Sequence, residues 1–285
     1  MTEATAAPVA RAPFWRIRER LAPRQTALLG LVLPAALVVL WWWLTRDRLP
    51  GQVESRLIGV NILPAPSEML SRETLSTLWF DRELSRSALV SLGRVCSGFA
   101  LAALLAVPLG VLMGAFSKVA ALFRPLMLAG GYLPVAALVP LTLVWFGMGE
   151  AQKVAFLAIA VFVYLLPMVV AAVDTVDHVF LQTAQTQGAT RGQLICRVLV
   201  PIALPGIYSA LRLAFGVAWS WIILAEVVAA ERGLGFIINT AQGRGTNMGH
   251  VYLTLATIIG LSFVLDRLWA GGDRALFPYK RGAHA

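Results

Sequence analysis

Three charged side chains inside apolar segments are the residues of this sequence best suited to do chemistry. Arg94, Arg212 and Glu226 each lie within a long run of apolar residues. Because a charge at membrane depth is costly, such residues commonly serve a transport pathway, a gate or an internal ion pair. We expect Arg94 and Arg212 either to help an anion cross or to form structural pairs, with snorkelling as a further alternative. Glu226 is expected to hold a gate or to join two helices.

Patterns typical of catalysis and of metal binding are missing from the sequence. No G-x-x-x-x-G-K-[ST] segment occurs, so ATP would have to be bound by another subunit. The three histidines (His178, His250 and His284) are scattered, and Cys96 and Cys196 are far apart, so neither set has metal-ligand spacing. We therefore expect no catalytic residue, no metal site and no cofactor held by this chain.

Composition places the chain in a membrane. Hydrophobic residues make up 58% of the 285 residues and charged residues 14%, against roughly 45–50% and about 25% in soluble proteins. A soluble domain of this length could not cover its surface with so few charges. The sequence therefore predicts an all-α polytopic membrane protein.

A transmembrane helix needs about 20 apolar residues, and six segments qualify. They span residues 26–44, 87–116, 122–145, 154–173, 205–229 and 248–269. The third contains Pro125, Pro134 and Pro140 together with Gly130 and Gly131, so we expect it to be kinked or partly broken. Non-helical backbone at membrane depth usually faces a cavity, which makes Gly130, Tyr132 and Pro134 pathway candidates.

Charge asymmetry predicts the orientation of the chain. The formal net charge is +9, and arginines and lysines cluster before the first apolar segment and after the last. Positively charged flanks favour the cytoplasm, which places both termini there. Neither basic end offers a clear set of base-stacking aromatic residues, so we do not expect nucleic acid as a partner. Trp219, on the fifth segment, could line the pathway, with packing against lipid or core as the alternative.

The domain organisation follows from these segments. A cytoplasmic tail (1–25) precedes the first span (26–44) and a periplasmic connection (45–86). A five-helix membrane core (87–270) carries a long cytoplasmic loop (174–204), and a cytoplasmic tail (271–285) ends the chain.

The long loop is predicted to form two short amphipathic helices with a tight break between them. The first helix covers about 175–187 and ends at Gly188, which suits a C-terminal position of positive φ. Thr190 and Gln193 have the spacing of a capping box, and the second helix is expected to stop near Pro201 and Pro205. A rigid helical elbow of this kind suits a soluble partner. The alternative is a connector that lies on the lipid headgroups.

This loop resembles the EAA loop of ABC-importer permeases, in which Glu-Ala-Ala is followed by three residues, Gly, nine residues and Ile-x-Leu-Pro. The corresponding residues are Gln182, Thr183, Ala184, Gly188, Val198, Val200 and Pro201. Ala184, Gly188 and Pro201 match the pattern, whereas Gln182 and Thr183 replace its Glu-Ala pair. The resemblance implies that six residues of this loop couple the chain to an ATPase. They are Gln182, Thr183, Ala184, Gly188, Ala189 and Pro201.

Further segments resemble the permease subgroup for taurine, alkanesulfonates, nitrate or bicarbonate. They are LPAPSEML (63–70), SLGRVCSGFALA (91–102), VPLGVLMGAF (107–116), LPVAALVPLTLVWFGMGE (133–150) and ILAEVVAAERGLGF (223–236). The resemblance implies the type-I importer fold, a homodimer in the bacterial inner membrane, and transport of a small anion. It also implies two cytoplasmic ATPase subunits that hold ATP and Mg, and a periplasmic solute-binding protein. The alternatives are an ATP-independent secondary transporter or channel and a membrane anchor for a soluble partner.

Overall fold

The structure is a computed structural model, and it describes residues 22–46, 57–59, 62–81, 83–228, 230–243 and 248–279. Helices and turns make up these ranges, with no β-strand in them. The chain divides into two compact units, residues 1–65 and residues 66–285. The predicted tails lie outside the described residues except at 22–25 and 271–279, where each adjoining helix extends beyond the predicted span.

The first unit contains one long apolar helix, α1 (Pro23–Thr45), whose apolar side chains are mostly exposed. Near its end, Trp41 donates a hydrogen bond from its indole Nε1 to the carbonyl oxygen of Pro64, at 3.1 Å. A helix with exposed apolar side chains on every side is typical of a segment that lipid surrounds, not water.

The second unit begins with short helices within the predicted periplasmic connection. These are α2 (Pro66–Met69), α3 (Arg72–Ser76) and a π-helical turn (Thr77–Asp81). Ser71 caps α3 by accepting a hydrogen bond from the backbone N–H of Thr74 at 3.3 Å. The long helix α4 (Leu84–Ala115) follows.

The third predicted span is broken, as its prolines and glycines indicate. Helix α5 (Ser117–Gly131) is followed by a 3₁₀ turn (Val135–Ala137) and helix α6 (Leu138–Phe146). The two parts are bent by 88° relative to each other. Pro134 stands between them and cannot donate a backbone hydrogen bond, which favours a break at this point.

Helix α7 (Glu150–Asp174) packs along α4 in the centre of the unit. On α4, Ala102, Ala106 and Gly110 are buried at four-residue spacing, which lets the two backbones approach closely. At Gly110 an added Cβ would lie 2.6 Å from Cγ1 of Val169. Helix α7 is therefore the central element of the second unit.

The elbow region contains α8 (His178–Thr186), α9 (Arg191–Gln193) and a π-helical turn (Leu194–Leu199), which leads into α10 (Val200–Val227). The expectation that the second elbow helix stops near Pro201 and Pro205 was wrong, because helical structure continues from Arg191 to Val227. Pro201 lies two residues after the π-helical turn (Leu194–Leu199), and a local π adjustment can accommodate a proline within a continuous membrane helix. The elbow is thus continuous with a membrane span.

Two helices complete the second unit: α11 (Leu234–Gly243) and α12 (Met248–Leu276). Five described helices are long and apolar enough to cross a membrane, and the bent pair α5–α6 makes up to six. Six spans agree with the number expected from the sequence.

Candidate functional site

A buried ionic network lies at the end of the second unit where α4 and α7 begin and α10 ends. Its centre is Glu226, whose side chain is fully buried. The Glu226 carboxylate accepts hydrogen bonds from Ser91 Oγ (2.7 and 2.9 Å), Arg94 Nη1 (2.7 Å) and the backbone N–H of Gly235 (2.8 Å). Several donors converge on this carboxylate, which offsets much of the cost of burying it.

Arg94 joins Glu226 to a second carboxylate. It donates from Nε and Nη2 to the two oxygens of Glu150, at 2.6 and 2.5 Å, in a bidentate pair. Nη1 also donates to the backbone carbonyl of Arg232 at 2.7 Å. Because the guanidinium lies between two carboxylates and is only 5% exposed, it could bind an anion only by giving up one of them. Of the three roles expected for Arg94, the geometry favours the structural pair.

Two glycines allow the segment that leads into α11 to approach the buried network closely. Gly233 has φ +127°, and a Cβ there would overlap the Glu226 carboxylate. At Gly235 a Cβ would lie 2.7 Å from the Glu226 Cβ and 2.9 Å from the carbonyl oxygen of Ile223. The backbone N–H between them, on Leu234, donates to Ser91 Oγ at 2.9 Å. Glycine is therefore required at both positions for the loop to reach the buried carboxylate.

A second cation adjoins the network on α7. Lys153 is 3% exposed, and its Nζ donates to the carbonyl oxygen of Gly149 at 3.1 Å. The same Nζ lies 3.8 Å from Oε1 of Glu150. Two cations and two carboxylates thus balance one another at this end, so the network carries no net formal charge.

The elbow lies at the opposite end of the unit, where α7 ends and α10 begins. Helix α8 closes in a Schellman motif, in which Ala189 N–H donates to the Ala184 carbonyl (3.1 Å) and Gly188 N–H donates to Gln185 (2.9 Å). Gly188 has φ +80°, which confirms the positive φ expected there. The backbone N–H of Thr190 donates to Gln193 Oε1 at 2.9 Å, in the predicted capping position.

The residues that the resemblance assigns to ATPase coupling lie along this elbow, apart from Pro201, which lies just beyond it in α10. Gln182, Thr183, Gly188 and Pro201 are exposed, while Ala184 and Ala189 are partly buried. Val179 and Phe180, one turn earlier, expose 60% and 52% of their surface. The elbow therefore presents both polar and apolar groups to a partner.

The remaining candidates do not join the buried network. Arg212 forms a bidentate pair with Asp266, at 2.6 and 2.7 Å, and stands fourteen residues before Glu226 on α10, roughly 21 Å along the helix. Trp219 is 3% exposed, and none of the described residues accepts a hydrogen bond from its Nε1. Tyr132, 88% exposed, lies with Gly130 and Pro134 at the α5–α6 bend.

Sequence reasoning missed five residues of the site: Ser91, Glu150, Lys153, Gly233 and Gly235. Ser91 and Arg94 are three residues apart, so they share a helix face, and that spacing was a usable signal. Glu150 and Lys153 stand at the start of a span, where charges are ordinary. Within the described residues, no cluster of histidine, cysteine, aspartate or glutamate could hold a metal ion.

The described residues thus combine helices long and apolar enough to cross a membrane with an exposed elbow at one end and a buried ionic network at the other. Residues 106–275 match the family described as "Binding-protein-dependent transport system inner membrane component", and the chain belongs to this family. It is therefore the permease component of an ABC transporter.

Individual relatives cover most of the chain. The taurine transport system permease protein TauC of Escherichia coli (strain K12) is 32% identical over 250 residues, which cover 86% of this chain and 87% of TauC. A probable ABC transporter permease protein of Brucella abortus (strain 2308) is 32% identical over 225 residues (79% and 89%). The putative aliphatic sulfonates transport permease protein SsuC of Bacillus subtilis (strain 168) is 29% identical over 235 residues (81% and 80%).

Solved structures share the fold. A chain of the MetNI methionine ABC transporter, in an inward-facing conformation, superposes with a TM-score of 0.63 at 20% identity, covering 72% of this chain and 99% of that chain. A chain of an amino acid ABC transporter gives a TM-score of 0.57 at 18% identity (74% and 100%). The expected type-I ABC importer permease fold is thus confirmed.

Proposed function

We propose that this chain is the membrane-spanning permease subunit of an ATP-driven importer of a small anion such as a sulfonate, nitrate or bicarbonate. The observation that carries the proposal is the exposed elbow at 178–199, which continues directly into a membrane span. An ATP-independent transporter has no need of such a projection.

Coupling runs from the elbow into α10. A cytoplasmic ATPase subunit, which holds ATP and Mg, binds the surface formed by Gln182, Thr183, Ala184, Gly188 and Ala189. Helix α8 is joined through the turn at Gly188 to the helix that begins at Arg191 and continues through Pro201 into α10, so displacement of the elbow is passed on to α10. Rigid-body movement of this kind is a common basis of switching between two states.

The opposite end of α10 carries the outer gate. Helix α10 has 28 residues, so Glu226 lies roughly 40 Å from the elbow. There the Arg94–Glu226 pair, with Ser91 and Gly235, fixes the α11 segment against α4. Movement of α10 relative to α4 therefore strains these hydrogen bonds and releases the α11 segment toward the periplasm.

Two copies of the permease enclose the pathway along α5 and α6. Residues 132–134 at the bend are exposed and interrupt the regular helix at membrane depth, and such irregular backbone is tolerated only against protein or a water-filled passage. A second copy of the chain on one side and a water-filled passage on the other meet this requirement. Exposed apolar residues lie on both sides of the bend, with Leu126 (69% exposed) before it and Val144 (82%) and Met148 (83%) after it.

The protein resides in the bacterial inner membrane with both termini in the cytoplasm, which places α11 on the periplasmic side. A periplasmic solute-binding protein delivers the anion there. Since Arg94 and Arg212 are both paired with carboxylates, selection of the anion falls mainly to the binding protein. The taurine and sulfonate permeases among the relatives support a sulfonate as the first anion to test.

Reconstitution in vesicles tests the proposal. The permease, its cognate ATPase and its binding protein are combined, and uptake of radiolabelled taurine, an alkanesulfonate, nitrate or bicarbonate is followed. Uptake that requires ATP and the binding protein is expected. Uptake driven by an ion gradient in ATP-depleted vesicles would favour the secondary-transporter alternative. A binding protein stabilised against heat only by neutral or cationic ligands would contradict the anion assignment.

A further inference from the structure

An aromatic cavity opens between three spans on the surface of the second unit. It has a volume of about 450 Å³, and it is lined by Cys96, Phe99, Tyr208, Phe215, Leu265, Leu268 and Trp269. The ring centroids of Phe99 and Phe215 lie 5.1 Å apart, and those of Tyr208 and Trp269 lie 5.1 Å apart. The Tyr208 hydroxyl donates to the backbone carbonyl of Trp269 at 2.9 Å, which leaves a mainly apolar lining.

A charged cavity of about 350 Å³ lies beside it. Its lining includes three arginines and two aspartates: Arg212, Arg267, Arg274, Asp266 and Asp273. Arg212 and Asp266 form a bidentate pair, and the Arg267 guanidinium stacks over Phe263, 4.6 Å from the ring centroid. The cavity has a formal charge of +1, because the arginines outnumber the aspartates by one.

Both cavities adjoin the same crossing of α10 and α12. Tyr208 and Arg212 are one turn apart on α10, and Asp266 and Trp269 are three residues apart on α12, so each pair shares a helix face. The Tyr208–Trp269 and Arg212–Asp266 contacts therefore stand next to each other, with the aromatic cavity and the charged cavity beside them. An apolar cavity next to a cationic one suits an amphiphilic molecule that has an apolar tail and an anionic head group.

We propose that these two cavities together bind one anionic phospholipid of the cytoplasmic leaflet. An acyl chain occupies the aromatic cavity, and the phosphate pairs with Arg267 and Arg274, whose planar guanidinium groups suit phosphate oxygens. Basic pockets between spans on the cytoplasmic side are known to hold such headgroups. A free small anion would leave the aromatic cavity unused, and a zwitterionic lipid lacks the net charge. The leaflet assignment rests on the topology given under the proposed function.

Lipid retention by the purified protein tests the site without reference to transport. The protein is exchanged into detergent with equal amounts of phosphatidylglycerol and phosphatidylcholine, and bound lipid is measured by native mass spectrometry. We expect phosphatidylglycerol to be preferred by on the order of tenfold, and the preference to disappear in the Arg267→Gln/Arg274→Gln variant. If the double variant does not fold, the same measurement is made with Arg274→Gln alone, which changes an exposed residue in the last turns of α12. Arg124→Gln, an exposed change on α5 outside both cavities, should keep the preference.

A phosphatidylglycerol with a photoactivatable acyl chain locates the other half of the lipid. Cross-links are expected at residues 96–99 and 265–269. Cross-links elsewhere, equal retention of the two lipids, or full displacement by glycerol phosphate would overturn the proposal, and so would cross-linking of Cys96 to a second copy of the chain. Lipid retention and cross-linking do not depend on ATP-driven uptake. The lipid site and the importer function can therefore be tested independently of each other.

Discussion

Arg94 of α4 and Glu226 of α10 stand 132 positions apart in the sequence, yet Arg94 Nη1 and Glu226 Oε1 lie 2.7 Å apart, with 5% and 0% of the side chains exposed. A pair this deeply buried is costly to break, because the remaining partner becomes an uncompensated charge. The stability of this end of the second unit therefore depends on keeping Arg94 and Glu226 paired.

The first prediction concerns the charge of Glu226. In Glu226→Gln one acceptor oxygen becomes an NH₂ group, although every group facing that carboxylate is a hydrogen-bond donor. We expect a loss of about 3–5 kcal/mol in the free energy of unfolding, the usual cost of removing one partner of a buried pair. Unfolding of the purified protein in detergent, by heat or denaturant, measures the loss.

Glu83→Gln is the matched control for this change. Glu83 also pairs with an arginine, Arg86, at 3.3 Å, but half of the Glu83 side chain is exposed. Exposed pairs contribute about 0–1 kcal/mol, so this variant should unfold almost as the native protein does. Equal losses in the two variants would show that the buried network does not stabilise the fold.

The second prediction tests the close approach of the α11 segment. Gly235→Ala places a methyl group 2.7 Å from the Glu226 Cβ, where something must move. We expect destabilisation of about 1–3 kcal/mol, typical of overpacking, and a weaker Gly235–Glu226 hydrogen bond. Gly93→Ala, beside Arg94 but facing open space, should be neutral or slightly stabilising, as alanine is favoured in helices. A tolerated Gly235→Ala would mean that the loop is not held against the carboxylate.

The third prediction concerns orientation, and a native cysteine reports on it. Cys196 is exposed in the π-helical turn of the elbow, which the proposed topology places in the cytoplasm. A membrane-impermeant maleimide should therefore label it in inverted vesicles and leave it unlabelled in intact spheroplasts. Cys196→Ser should abolish the labelling. Labelling from the outside of spheroplasts would reverse the topology.

Local features of the site could be predicted from the sequence. The positive φ of Gly188 and the Thr190–Gln193 contact follow from capping rules that involve only a few neighbouring residues. The broken third span follows equally from its prolines. These elements are set by local backbone chemistry, which the sequence displays directly.

The buried network could not be predicted in the same way. Glu226 was recognised as a candidate because a charge within an apolar span is conspicuous. Its partners Ser91, Arg94 and Gly235 come from distant parts of the chain, and only the packing of α4 against α10 brings them together. Pro201 shows the converse error, because the rule that a proline ends a helix is overridden where a π-helical turn lets the helix continue.

The coupling of ATP hydrolysis to uptake in a Gly188→Val variant tests the central claim most directly. Valine resists the φ of +80° that closes the elbow, whereas Gly192→Val, four residues on, faces open space at a helical position. In reconstituted vesicles, Gly188→Val should keep membrane insertion and ATPase activity but lose most of its uptake per ATP hydrolysed, while Gly192→Val should stay close to native. Normal uptake per ATP in Gly188→Val would contradict the role of the elbow as the coupling element.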